Sequence, residues 1–243
     1  MTLFLQDNLK YSYYPVVNLQ KMLYYLSMNV YHSLRKFGAI PFSHSVLLGI
    51  LTDYKNPNDK IQRMIEKGEL ISLKRGLYLV GDNWREAAFS YELLANAIYA
   101  PSYISLSWAL SKYQLIPEQV HEVTSISYKR SQRVENKIGR FSYIQSKSSL
   151  FSIGLTIMSA DLKTNFRIAT KEKALCDMIV YSKGLTLRSL KETQEYLEEN
   201  LRIDPEDLID FDTAIIQACI DCGYKKTSLY YLLSYIDALQ EGL

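Results

Sequence analysis

Residues 56–80 read NPNDKIQRMIEKGELISLKRGLYLV, and this stretch decides how the chain is understood. Its first half carries helix signals. Asn56 is a suitable N-cap, Pro57 takes the first helical position, and Asp59 puts a negative charge in the first turn, where the helix dipole favours it. Ile61, Met64 and Ile65 recur at i, i+3, i+4 and form one apolar stripe, while Lys60, Arg63 and Lys67 recur at i, i+3, i+7 on a different face. Gly68 predicts the stop. The second half holds two β-prone runs, residues 70–73 and 77–80, separated by Lys74-Arg75-Gly76. Gly76 can take the positive φ that a short hairpin loop needs, so the hairpin tip carries two adjacent cations. One reading is a small helix–hairpin unit with solvated charges. The other is the recognition helix and wing of a winged helix-turn-helix.

The residues just upstream favour the second reading. Residues 28–54 predict two helices. The first spans about 30–37, with Val30, Leu34 and Phe37 on one face and Gly38 at its end. Ser43 can cap the second, at 44–54, whose apolar face is Val46, Leu47, Ile50 and Leu51. Helix, helix, basic helix, hairpin is the chain order of a winged helix domain, here predicted over residues 28–82. In that arrangement Lys60 and Arg63 approach the major groove, with Lys67 on the same basic face. Gln62 reaches a base edge through its amide, and Lys74 and Arg75 meet the flanking phosphate or minor groove. Residues 1–27 are rich in Tyr and Leu. They are either a short helix at 19–27 packed on the body, or a stretch upstream of a true start at Met22 or Met28.

Gly81-Asp82-Asn83 is a polar turn and marks the predicted domain boundary. Residues 83–184 predict an α+β domain. Helices are expected at 85–99 and 108–113, strands at 123–128, 140–144, 151–158 and 165–169, and a helix capped by Thr170 at 171–181. The expected sheet has about four strands and is mostly antiparallel. Residues 185–243 read as helical and complete the second domain. The fold class is thus α+β: a winged helix-turn-helix, a mixed α/β domain with an antiparallel sheet, and a helical C-terminal end. Between two of the strands lies a basic run with Lys129, Arg130 and Arg133. It reads more readily as a solvated loop, and alternatively as an extension of the phosphate-contacting surface.

Charge separates along the chain. Residues 28–80 hold eight Lys/Arg against four Asp/Glu, residues 81–184 thirteen against nine, and residues 185–243 five against twelve. The front suits an anionic partner and the tail disfavours nucleic acid. No apolar run approaches the length of a membrane span, and the N-terminus makes a poor signal peptide, so a cytoplasmic location is expected. Three cysteines make no disulfide framework. Cys219 and Cys222 form a C-x-x-C without the further ligands that zinc requires, and they read as buried thiols in a helix. His32, His44 and His121 are scattered, no Gly-rich phosphate loop is present, and Lys171-Glu172-Lys173 near Asp161 lacks nuclease spacing. Lys173 and Asp177 read as an i, i+4 ion pair. The expectation is a protein without a catalytic centre, metal or cofactor.

The runs PSYISLSWALSKYQLIPE (101–118), VTSISYKR (123–130), GRFSYIQ (139–145) and FRIATKEKALCDMIV (166–180), together with the hairpin KGELISLKRGLYLV (67–80), resemble the AbiEi family. These are antitoxins of type IV toxin–antitoxin systems. The resemblance covers about residues 28–182 and weakens across the helical tail. It implies an N-terminal DNA-binding domain that represses its own operon by binding double-stranded DNA of its promoter. It also implies a C-terminal part that counters a nucleotidyltransferase-like toxin from the adjacent gene, without direct binding to it. The alternative is a protein–protein interaction module that docks through the winged helix and the acidic tail, without sequence-specific DNA binding.

Overall fold

The computed structural model describes residues 19–161 and 164–242. Tyr11, Tyr13 and Tyr14 of the aromatic N-terminal stretch therefore lie outside the described residues. The fold is α+β: N-terminal helices, then a mixed sheet, then C-terminal helices.

The N-terminal part contains α1 (Leu19–Arg35), β1 (Phe42–Ser43), α2 (His44–Ile50), α3 (Pro57–Glu66), β2 (Leu70–Lys74) and β3 (Leu77–Val80). The three strands form an antiparallel sheet in the order β1-β3-β2, with Phe42 opposite Tyr78 and Leu70 opposite Val80. Gly68 (φ 72°) ends α3 and Gly76 (φ 79°) turns the hairpin, both in the left-handed region that favours glycine. The apolar stripes close on one another: Val30 and Leu34 of α1, Leu47 of α2 with Leu51 at its C-cap, and Ile61 and Met64 of α3 meet Phe42, Leu70, Tyr78 and Val80. Truncating one of these leucines to Ala would cost about 2–5 kcal/mol in lost transfer energy and cavity.

Three local expectations are corrected here. The helix expected at about 30–37 and the short helix that one reading places at 19–27 are a single helix, α1, because no Gly or Pro interrupts LQKMLYYLSMNVYHSLR. Asn56 occupies the N-cap position of α3 without a side-chain cap bond, its ψ of 79° lying off the extended geometry of capping residues. Ser43 likewise makes no cap bond, its Oγ lying 2.7 Å from Ser45 Oγ.

The second part contains α4 (Tyr91–Ile98), β4 (Ser102–Ile104), α5 (Leu106–Lys112), β5 (Glu122–Ser127), β6 (Gln132–Glu135), β7 (Arg140–Gln145), β8 (Leu155–Ser159), β9 (Asn165–Ala169) and α6 (Lys171–Tyr181). Helix α7 (Leu190–Glu195), prolonged by a π turn (Tyr196–Asn200), is followed by α8 (Thr213–Asp221) and α9 (Lys226–Glu241). The six strands run in the order β6-β7-β5-β4-β9-β8.

The sheet is mixed, not antiparallel: β4–β9 and β5–β7 are parallel pairs, and the other three pairs are antiparallel. Alternation of apolar residues identifies a strand but not the direction of its neighbour. Here β6 and β7 form a hairpin, so β7 returns in the direction of β5 and adds beside it. Strands β4 and β6 carry little period-two signal, one because it has three residues and the other because QRVE is polar. Strand β6 is an edge strand, and charged residues suit an edge. Arg133 therefore sits on a strand and not in a solvated loop. Ser90, whose Oγ accepts from Leu93 N at 3.1 Å, starts α4 later than expected. Thr170 caps α6 as its sequence predicts.

The pleat distributes the helices. Tyr103 lies opposite Ile126, and Tyr143 opposite Ser125, so the two tyrosines point to opposite faces. Tyr143 donates to Ala95 O of α4 at 2.8 Å, and Tyr103 donates to Asp177 Oδ2 of α6 at 3.1 Å. Helix α4 thus covers one face, and α5 and α6 the other, with the C-terminal helices packed behind α6. The hairpin β2–β3 belongs to both cores. Leu70, Tyr78 and Val80 face the N-terminal helices, whereas Leu73 and Leu79 are buried in the second core with Leu94 and Ile98. Asn136 Nδ2 donates to Leu73 O at 2.9 Å across this seam.

Candidate functional site

Helix α3 is held by Ile61 and Met64 and presents its polar residues outward. Gln62, Arg63 and Lys67 are exposed and Lys60 is half-buried, its ammonium 5.5 Å from the centre of the Tyr54 ring. Gln62 donates to Glu66 Oε1 at 3.1 Å, and Arg63 Nε donates to Asp59 O at 3.2 Å. Both bonds are exposed and intrahelical, so an external acceptor replaces them at little cost.

The hairpin tip stands differently from its sequence reading. Arg75 is exposed, but the Lys74 ammonium donates to Ile98 O at the C-terminal end of α4. That carbonyl lies at the negative end of the helix dipole, a natural seat for a cation. The β5–β6 turn reaches the same place. Tyr99 OH donates to Arg130 O at 3.0 Å, and Lys129 Nζ lies 5.4 Å from the Tyr99 ring centre. Partial burial and then the charge of Lys129 hold the Lys74 ammonium below its ordinary pKa. Two cations that repel one another beside an exposed Arg75 and Arg130 form a surface that gains from an anion. Arg133 stands apart, 3.7 Å from Glu122.

The tertiary structure thus brings the Lys74 and Lys129 side chains together at the end of α4, with the exposed Arg75 and Arg130 next to them in the chain. It adds Ile98 and Tyr99 as the platform that organises them, a role that no sequence signal announced. The chemistry available is multipoint hydrogen bonding and charge neutralisation of an anionic partner.

The Lys173–Asp177 pair is formed, with Nζ to Oδ1 at 2.5 Å, and both side chains are fully buried. Asp177 Oδ2 also accepts from Ser105 Oγ at 2.7 Å and from Tyr103 OH. Burial lowers the lysine, but the charge and hydrogen bond of Asp177, together with the neighbouring Cys219 and Cys176, hold Lys173 above the ordinary lysine value. Burial pushes the Asp177 carboxyl up, while Lys173, Ser105 and Tyr103 oppose this as donors to the carboxylate. The group is sealed from solvent and serves to fix α6 against β4. Cys219 is buried beside Cys176, whereas Cys222 is half-buried and donates to Ser149 O at 3.3 Å. Among the described residues no three His, Cys, Asp or Glu side chains are placed to hold a metal, and no helix is long and apolar enough to cross a membrane.

Comparison of the chain with protein-family models gives no match. Comparison with curated proteins gives none either.

Proposed function

We propose that this chain is a sequence-specific transcriptional repressor that binds double-stranded DNA through a winged helix-turn-helix. The observation that carries the reading is the juxtaposition of two basic elements. The outward face of α3, with Lys60, Gln62, Arg63 and Lys67, adjoins a hairpin whose tip carries Lys74 and Arg75. The order α1, β1, α2, α3, β2, β3 and the pairing β1-β3-β2 support it further. In this reading α3 enters the major groove, where Arg63 and Gln62 read base edges. The hairpin is the wing, and its tip acts with Lys129 and Arg130 of the β5–β6 turn on flanking phosphates. The contact surface then spans both parts of the chain.

The resemblance to AbiEi extends the proposal. The DNA bound is the promoter of the protein's own operon, and the second part counters a nucleotidyltransferase-like toxin from the adjacent gene without binding it directly. The acidic helical tail, with five Lys/Arg against twelve Asp/Glu over residues 185–243, lies outside the DNA contact in this reading. The function uses no enzymatic step and no cofactor.

A gel-shift with the protein's upstream DNA tests it. Specific binding should exceed binding to scrambled duplex by roughly 10³ or more at physiological salt. Equal retardation of both duplexes would refute sequence-specific repression.

A further inference from the structure

A second feature lies beyond the β5–β6 turn. An open groove of about 690 Å³ is lined by Tyr128, Ser131, Lys147, Tyr181, Lys183 and Tyr224, among others. That volume falls in the range of small-ligand sites. Among the described residues no Asp or Glu lines it. Among the described residues neither Lys147 nor Lys183 has a carboxylate within ion-pair distance.

The aromatic groups are mounted in fixed positions. Tyr128 is 59% exposed, yet its ring stands edge-on against Phe151 at 5.6 Å. Phe151 in turn packs on the buried Tyr103 at 5.3 Å. Lys147 Nζ lies 5.6 Å from the Tyr224 ring centre, and Lys147 N donates to Tyr181 OH at 3.0 Å, which ties the end of β7 to α6. An exposed, buttressed aromatic face costs hydration unless a flat partner covers it. Two cations without counter-charges call for an anion.

We propose that this groove binds an unpaired nucleotide, its base stacked on Tyr128 and its phosphate held by Lys147 and Lys183. One ligand satisfies both demands: a planar base carries the π-face and its phosphate carries the charge. A base inside a duplex cannot reach Tyr128, because its faces are already covered by its neighbours. The source is a single strand or a free nucleotide. Tyr128 and Ser131 of the groove flank Lys129 and Arg130 in the chain, and a strand and a free nucleotide are distinguished by the test below. The proposal goes beyond the repressor reading and does not depend on it.

The test uses the full chain. Fluorescence anisotropy with a labelled short oligothymidylate measures single-strand binding, and UMP and ATP serve as competitors. Tyr128→Ala should weaken single-strand binding roughly 5- to 150-fold, the range of one lost stacking contact, while Tyr128→Phe should retain it. Lys147→Ala with Lys183→Ala should reduce the salt slope by about 1.4, at roughly 0.7 per lost phosphate contact on a single strand. Competition by the mononucleotides would support a free nucleotide as the ligand; binding of the oligonucleotide alone would support a strand. Three results would overturn the proposal: no binding of either probe at millimolar nucleotide, wild-type affinity in Tyr128→Ala with unchanged circular dichroism, or equal weakening of duplex and single strand. The upstream-duplex gel-shift, repeated with Tyr128→Ala, reads the repressor function separately and should not change.

Discussion

Arg75 and Arg130 come from different parts of the chain, and their joint replacement by Ala tests whether the basic surface acts as one. Both are exposed, and each follows in the chain one member of the Lys74–Lys129 pair at the end of α4. If each contacts one phosphate, the double variant loses about 1.8 from the slope of log K against log salt, at roughly 0.9 per contact on duplex DNA. Between 50 and 200 mM salt that slope corresponds to roughly 3.5-fold per contact, so the double variant should lose about 12-fold less affinity over that interval than the parent. The change should be equal on operator and scrambled DNA, since phosphates carry no sequence information. Lys74→Ala is the internal contrast. Its ammonium is already held by Ile98 O, so its effect on the slope should be smaller than that of Arg75→Ala. The assay is anisotropy on both duplexes at four or more salt concentrations, with circular dichroism as a fold control. An unchanged slope in the double variant would remove the tip and turn from the interface. A slope reduced by Arg75→Ala but not by Arg130→Ala would confine the contact to the hairpin and refute the composite surface.

Arg63 should behave unlike the tip: Arg63→Ala should cost about 1–3 kcal/mol on the operator and relax preference at one base, and equal weakening on scrambled DNA would mean that α3 meets only phosphate. Lys173→Met leaves the Asp177 carboxylate buried with only Tyr103 and Ser105 as donors, so urea denaturation should show a loss of about 3–5 kcal/mol, partly recovered in Lys173→Met with Asp177→Leu. A single variant within about 1 kcal/mol of the parent would show that the pair is not a strong tie. Burial raises Tyr113 to about 12 and pushes Tyr103 and Tyr143 further, and the carboxylate beside Lys173 raises that lysine too. Groups raised in the folded state contribute stability that is complete below their unfolded values near 10 and is lost as pH climbs through the folded ones. Lys74 and Lys225, lowered by burial, act in the opposite sense but lie nearer the surface. Denaturation midpoints should therefore fall steeply between about pH 10 and 12, and a flat profile there would contradict the burial of these tyrosines.

Some of this protein was readable because the physics is local. Stripes at helical spacing in residues 56–80 predict α3 and its buried residues, and Gly68 and Gly76 predict where the chain turns. Thr170 and the apolar positions that follow it predict α6, which runs over Lys171–Tyr181. The i, i+4 spacing of Lys173 and Asp177 predicts their pairing, but not that both would be fully buried under Tyr103 and Ser105 from strands far away in sequence. Strand direction was equally out of reach. The pattern of β5 and β7 is the same whether they run parallel or antiparallel, and only the hairpin inserted by β6 decides. The basic tip shows the division most clearly. The sequence by itself determined that Lys74 and Arg75 lie at a hairpin turn, because glycine geometry and β-propensity act over a few residues. Only the tertiary structure decided that Lys74 docks on the end of α4 and that Lys129 and Arg130 join it, because those contacts depend on packing Leu73 and Leu79 against a core assembled from residues 94–236.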